Sequence, residues 1–173
     1  FMHAINIAKE FVKNKKKSSW EIQKLTYYAQ MLSLYLYNEP LFDDDIVVLK
    51  DGPAIINVQE KFKEDKKLKM VEGVKESDSK AKLIIDYTLK FFGGYKGRAL
   101  RDMTHKKGGA WDRVVKEKHI TDFSKSKNIK IENSYIKNEI NLYEDIIKEL
   151  NKAAEIDKYY LYNDIDNILK EFE

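Results

Sequence analysis

Three histidines, at positions 3, 105 and 119, are the chain's whole supply of imidazole, and no two of them have a spacing that places two ring nitrogens on one ion. The default reading of His105 is structural. Asp43-Asp44-Asp45 stacks the oxygen donors that Mg²⁺ or Ca²⁺ takes, yet successive side chains of an extended segment point to opposite faces. Three such carboxylates converge only if the chain turns, so a charged lead-in to an edge strand is expected instead. Gly93-Gly94-Tyr95-Lys96-Gly97 has the glycines of a phosphate loop, but it follows a helical pattern and lacks both the Walker spacing and its Ser or Thr. A helix stop and a turn explain it. There is no cysteine and no Gly-x-Ser-x-Gly elbow. With no catalytic constellation and no metal or cofactor set, the chain reads as a binding protein and not as an enzyme.

Arginine is the remaining signal. Only Arg98, Arg101 and Arg113 are arginine among 32 cations, and they flank Thr104, His105 and Trp111. Arg98 and Arg101 are neighbours on a helix face. Their guanidinium groups can grip a partner's carboxylate or phosphate, with Trp111 as an aromatic anchor. Internal ion pairing with the chain's own acids is the competing reading.

The elements that carry these residues follow from periodicity. Residues 2 to 14 place Ile5, Ala8, Phe11 and Val12 on one side of an amphipathic helix that ends at Lys15-Lys16-Lys17. Ser18 and Glu21 form a capping box. The helix they open carries one apolar stripe through Ile22, Leu25, Ala29, Leu32 and Leu36 and a second through Trp20, Tyr27, Met31 and Leu34, which makes it the central helix. Asn38-Glu39-Pro40 ends it. Ile46 to Leu49 reads as a strand closed by Asp51-Gly52-Pro53, with Pro53 at the first position of a helix burying Ile55, Val58 and Phe62. Met70 to Val74 is the expected partner strand. Asp78 or Ser77 caps a helix over 79 to 92, with Ala81, Ile84, Ile85, Thr88 and Phe91 inward and Gly93 as its left-handed stop. Short helices at 97 to 105 and 111 to 116, a brief strand at 129 to 131 and a helix capped by Asn133 follow.

From Leu142 to Phe172 one or two amphipathic helices close the chain. Of its 173 residues, 132 to 173 hold 11 acidic and 5 basic side chains, leaving 18 acidic and 27 basic in the rest. A basic body with an acidic tail fits either a nucleic-acid surface or a tail that engages something basic. Lysine richness with so few arginines argues only weakly for nucleic acid. Tyr159, Tyr160 and Tyr162 with Ile165, Ile168 and Phe172 make the tail the best candidate partner element, able to dock into a groove or to pack on its own body. No apolar run approaches the roughly 18 residues of a membrane span, and Lys9, Glu10 and Lys13 do not suit a signal peptide. A cytoplasmic protein is expected.

Four pieces in order carry a family resemblance: Gln23-Lys24-Leu25-Thr26-Tyr27-Tyr28-Ala29-Gln30, Glu39-Pro40-Leu41-Phe42-Asp43-Asp44-Asp45-Ile46, Lys50-Asp51-Gly52-Pro53 with Val58 and Phe62, and Leu100-Arg101-Asp102-Met103-Thr104-His105 followed by Trp111. Together they resemble the SocA-like Panacea domain of bacterial and phage proteins. The resemblance covers roughly residues 2 to 140 and implies a small, mainly α domain around a central buried helix with a few short strands. It further implies an antitoxin that acts by protein–protein contact with a toxin, either binding it directly or delivering it to a protease. One stretch departs: the family often has an acidic residue and a proline before the tryptophan, where this chain reads Lys106-Lys107-Gly108-Gly109-Ala110. On this view residues 2–141 are the antitoxin domain, and 142–173 are an acidic tail that selects the partner. The competing function is a nucleic-acid-binding regulator that uses the basic body.

Overall fold

Ala4, Ile7, Ala8 and Phe11 line the buried side of the first helix, α1 (Ala4–Lys13). Ile5 and Val12, expected on that side, are only half-buried, because the 4-7-8-11 series follows the 3.6-residue period more closely. The structure is a computed structural model and describes residues 2–172, except for the side chains of residues 156–166. Tyr159, Tyr160, Tyr162 and Ile165 lie outside the described residues. The chain divides into two units, Phe1–Glu139 and Ile140–Glu173.

In the first unit the capping box forms as read: Glu21 N donates to Ser18 Oγ at 3.1 Å, and Ser18 N donates to Glu21 Oε1 at 3.2 Å. It opens α2 (Ser19–Tyr37), in which every residue from Ile22 to Leu34 is buried. This is the central helix. Trp20 departs from its stripe and stays 37% exposed in the first turn. Asn38 closes the helix in the left-handed conformation, with φ 54°.

A hairpin follows. β1 (Val47–Leu49) pairs antiparallel with β2 (Gly52–Ala54), in the register Val47 to Ala54, Val48 to Pro53 and Leu49 to Gly52. Pro53 is therefore a strand residue and not the start of α3 (Ile56–Glu64). Its missing N–H is tolerated because it lies opposite Val48, whose own N–H donates to Ile129 O at 3.0 Å on the far side. Residues 70 to 74 form no strand: both sides of β1 are taken, and Val74 N donates instead to Glu10 Oε1 at 2.8 Å. Ile129 to Ile131 supplies only a bridge to Val47 and two bonds.

Asp78 caps α4 (Ser79–Phe92) by accepting from Ala81 N at 3.0 Å. Ala81, Ile84, Ile85 and Thr88 are buried as their spacing requires, but the last inward ring is Phe92, stacked on Tyr28 at 3.9 Å. Phe91 stacks on Tyr87 instead. Gly93 is right-handed, at φ −67°, and ends the helix through its bond to Leu89 O. Next come α5 (Gly97–Thr104), α6 (Ala110–Glu117), a 3-10 turn at Phe123–Asn128, and α7 (Asn133–Glu139). Asn133 is the first residue of α7 and not its cap; Glu132 O accepts the first bonds.

The second unit is a 3-10 turn, Ile140–Leu142, and one helix, α8 (Glu144–Glu171), of 28 residues. Glu144 and Asp145 in its first turn and Lys170 in its last suit the helix dipole. Ile168, Leu169 and Phe172 are 54%, 58% and 85% exposed near its end. Among the described residues no helix is long and apolar enough to cross a membrane.

Candidate functional site

Burying irregular backbone obliges something to satisfy its N–H and C=O groups, and here α2 does so with side chains. Gln23 Oε1 accepts from Ile55 N at 2.9 Å while its Nε2 donates to Ile55 O at 3.0 Å, as a neighbouring strand would. Lys24 Nζ donates to Pro53 O at 3.0 Å. Gln30 Oε1 accepts from Leu41 N and Phe42 N at 2.7 and 3.2 Å, and its Nε2 donates to Phe42 O at 2.9 Å. All three side chains are buried. Gln30→Leu strands three backbone groups and is expected to cost at least about 3 kcal/mol by urea unfolding, at roughly 1–3 kcal/mol for each buried group left unsatisfied. An unchanged midpoint would remove the clamp role.

A second set of bonds fixes the hairpin turn from the other side. Arg101 Nε donates to Asp51 Oδ1 at 3.0 Å and its Nη1 to Asp102 Oδ1 at 3.2 Å, with the guanidinium 5.8 Å from the Trp20 ring. The His105 ring bridges two carbonyls, Arg101 O at 2.7 Å from Nδ1 and Lys50 O at 3.0 Å from Nε2. Trp111 Nε1 donates to Leu49 O at 2.8 Å, and its ring lies between His105 at 4.1 Å and Phe123 at 5.7 Å. Gly52 takes φ 110° where Thr104, Lys24 and His105 converge on it. Beside the hairpin a cavity of about 290 Å³ is lined by Trp20, Lys24, Leu49, Asp51, Ala54 and Phe123 among others.

Electrostatics follow burial. The Lys24 ammonium is pushed down to about 7, first by desolvation and further by the Arg101 charge, with Asp51 opposing. The hydrogen bond to Asp51 holds the Arg101 guanidinium above its already high ordinary value. Glu139 is the acidic counterpart: burial raises its carboxyl to about 7, against the bonds its Oε1 accepts from Ala110 N and Tyr27 OH, each at 2.9 Å. Among the described residues its buried Oε2 has no partner.

The residues singled out from sequence thus fall in three places. Arg98 is exposed on α5, one turn before Arg101, which is half-buried and paired with Asp51 and Asp102. Trp111 is half-buried and bonded to the hairpin, and Phe172 lies exposed at the end of α8. Arg113 Cζ sits 4.0 Å over the Tyr135 ring. Of the three aspartates, Asp44 accepts from Ala4 N at 2.8 Å and Asn57 Nδ2 at 3.2 Å, and Asp45 pairs with Lys130 at 3.3 Å. Sequence reasoning missed Gln23, Lys24, Gln30 and Glu139. The available signal for the first three was polarity inside a helix that is otherwise apolar on two sides.

The arrangement defines a class: a helical domain in which one buried helix holds a short hairpin and its flanking loops through polar side chains. The chain belongs to the family described as Antitoxin SocA-like, Panacea domain, whose sequence profile matches residues 22–112. That stretch begins just before Gln23 and ends just after Trp111, so it contains the clamps on both sides of the hairpin. No curated protein and no solved structure matches the chain.

Proposed function

We propose that this protein is an antitoxin that neutralises a cognate protein toxin by binding it directly. The observation that carries this is membership of the Antitoxin SocA-like, Panacea family, matched over residues 22–112 from α2 to the start of α6. Partner choice is assigned to the tail, residues 142–173, and the common scaffold to residues 2–141. Two features support that division. The tail is acidic, and α8 exposes Ile168, Leu169 and Phe172 near its end, the composition of a helix that docks into an apolar groove with a basic rim. Arg98, exposed on α5, offers a second contact beside the Arg101 to Trp111 segment.

Growth rescue tests the reading. Each neighbouring open reading frame is expressed with and without this protein; toxicity that the protein suppresses establishes the function, and no toxic neighbour sinks it. Deleting residues 144–173 should then weaken toxin binding by at least about tenfold in Kd, about 1.4 kcal/mol, and reduce rescue in plating. Circular dichroism should still report a folded body. Full rescue by the truncation removes the tail from the mechanism. Toxin abundance separates direct inhibition, which leaves it unchanged, from delivery to a protease, which lowers it.

A further inference from the structure

Lys15, Lys16 and Lys17 from the turn between α1 and α2, with Lys66 and Lys67 from the turn after α3, line one concavity of about 590 Å³, and Val12 is its apolar wall. Two segments far apart in sequence meet there because Lys9 Nζ ties α1 to the second turn, donating to Leu68 O at 2.7 Å. Among the described residues none of the five pairs with a carboxylate, although the chain has 29 acids. Asp65, next in sequence to Lys66, is spent on its own loop, accepting from Lys67 N at 3.1 Å and Lys69 N at 2.5 Å. Lys16 Nζ bonds a carbonyl, Gly93 O, at 2.5 Å, which leaves its charge uncompensated.

We propose that this concavity binds the phosphodiester backbone of a nucleic acid, a role that does not rest on the antitoxin reading. Five lysines that line one hollow give it a positive potential that a polyanion would neutralise. Lysine is a flexible point charge suited to phosphate, and among the described residues the hollow has neither an arginine fork to read guanine nor an aromatic ring on which a base could stack. It grips the backbone and does not read sequence. A lipid surface fits poorly, because the site is a hollow and a bilayer surface is broad and flat. An acidic protein would need to gather several carboxylates on one ridge, whereas a nucleic acid supplies one charge per nucleotide.

The test is fluorescence anisotropy with a labelled mixed-sequence 20-mer, as RNA, single-stranded DNA and duplex DNA, across a series of salt concentrations. The full-length protein should bind at least one of them saturably at low salt, and binding should weaken steeply as salt rises. The triple variant Lys17→Ala, Lys66→Ala, Lys67→Ala should bind at least about tenfold more weakly, with a log–log salt slope flatter by about 2 to 3. A control that removes three exposed lysines elsewhere, Lys118→Ala, Lys125→Ala, Lys127→Ala, should stay within about twofold of wild type, because those residues lie outside the contacts that release counterions. No saturable binding at low salt overturns the proposal. So does an equal loss in both variants, which marks diffuse attraction, or loss of a co-purifying protein in the first variant with no nucleic-acid binding in wild type.

Discussion

Gly52→Ala is expected to lower the thermal unfolding midpoint by roughly ten degrees, and Gly94→Ala to leave it unchanged or raise it slightly. At φ 110° the Gly52 backbone is in a region that side chains rarely adopt, and an added Cβ would stand 2.7 Å from Thr104 Oγ1, 3.1 Å from Lys24 Nζ and 3.2 Å from His105 Cε1. None of the three can retreat cheaply. Thr104 is fully buried and donates to Arg101 O at 2.7 Å, Lys24 is held by Pro53 O, and His105 spans two carbonyls. Backbone strain of about 1–3 kcal/mol and overpacking of about 1–3 kcal/mol give a few kcal/mol together. A chain of this size loses about 2–4 °C per kcal/mol. At Gly94 a Cβ would meet nothing within 4 Å, so alanine only narrows the unfolded ensemble, a gain of about 0.4–1 kcal/mol. Melting curves followed by circular dichroism decide it; equal midpoints for the two variants would mean that the convergence on Gly52 does not hold the hairpin.

The sequence was most legible where one local rule decides the outcome. The Ser18 capping box, the Asp78 cap, the bounds of α4 and the burial of α2 each depend on residues three or four apart. Misreadings came where a distant partner decides. Pro53 has the right chemistry for a helix start, but Val48 and the Gln23 clamp on Ile55 draw that segment into a hairpin. Val71 and Val74 have strand chemistry, but Glu10 takes the Val74 N–H and no edge of β1 is free. Phe91 and Phe92 are adjacent and equally apolar, and only the Tyr28 ring across the core selects Phe92. The same limit hid the clamps. Gln23, Lys24 and Gln30 read as family markers, while their function is to satisfy backbone 11 to 32 residues away. Glu139 gave no signal, since a lone carboxylate in a chain with 29 acids is unremarkable until Tyr27, 112 positions earlier, is seen to donate to it.

Those buried polar groups set an unusual pH profile: stability in urea should pass through a minimum near pH 7. Glu139 titrates at about 7 in the fold against an ordinary 4.5, because burial penalises its charged form. Between these values the folded state holds a proton that the unfolded state has released, so stability falls as pH rises from 4.5 to about 7. Lys24 runs the other way. Its ammonium titrates at about 7 in the fold against an ordinary 10.5, so above pH 7 the unfolded state holds the extra proton, and stability climbs until about 10.5. At about 1.4 kcal/mol per pH unit each limb is worth several kcal/mol at most. The carboxylates of Asp65, Glu76, Asp112 and Asp122 are held below their ordinary values of 3.8 to 4.5 and act below this window, while Tyr37 and Tyr135, raised from 10.0, oppose the Lys24 limb only at its upper edge, above pH 10. Two variants separate the limbs. Glu139→Gln keeps an oxygen for Tyr27 and Ala110 but cannot ionise, so it should match wild type near pH 5, exceed it at pH 8 and flatten the acid limb. Lys24→Met loses the bond to Pro53 O, worth about 1 kcal/mol, but escapes the buried charge. It should be more stable than wild type near pH 6 and less so near pH 10. A wild-type profile that peaks at neutral pH, or limbs that survive their own variant, would show that these two groups do not govern it. If the minimum is found, the buried Lys24 clamp on the hairpin and the buried Glu139 between Tyr27 and α6 each cost the domain stability at neutral pH, which ties the geometry of the site to the ease with which the fold opens.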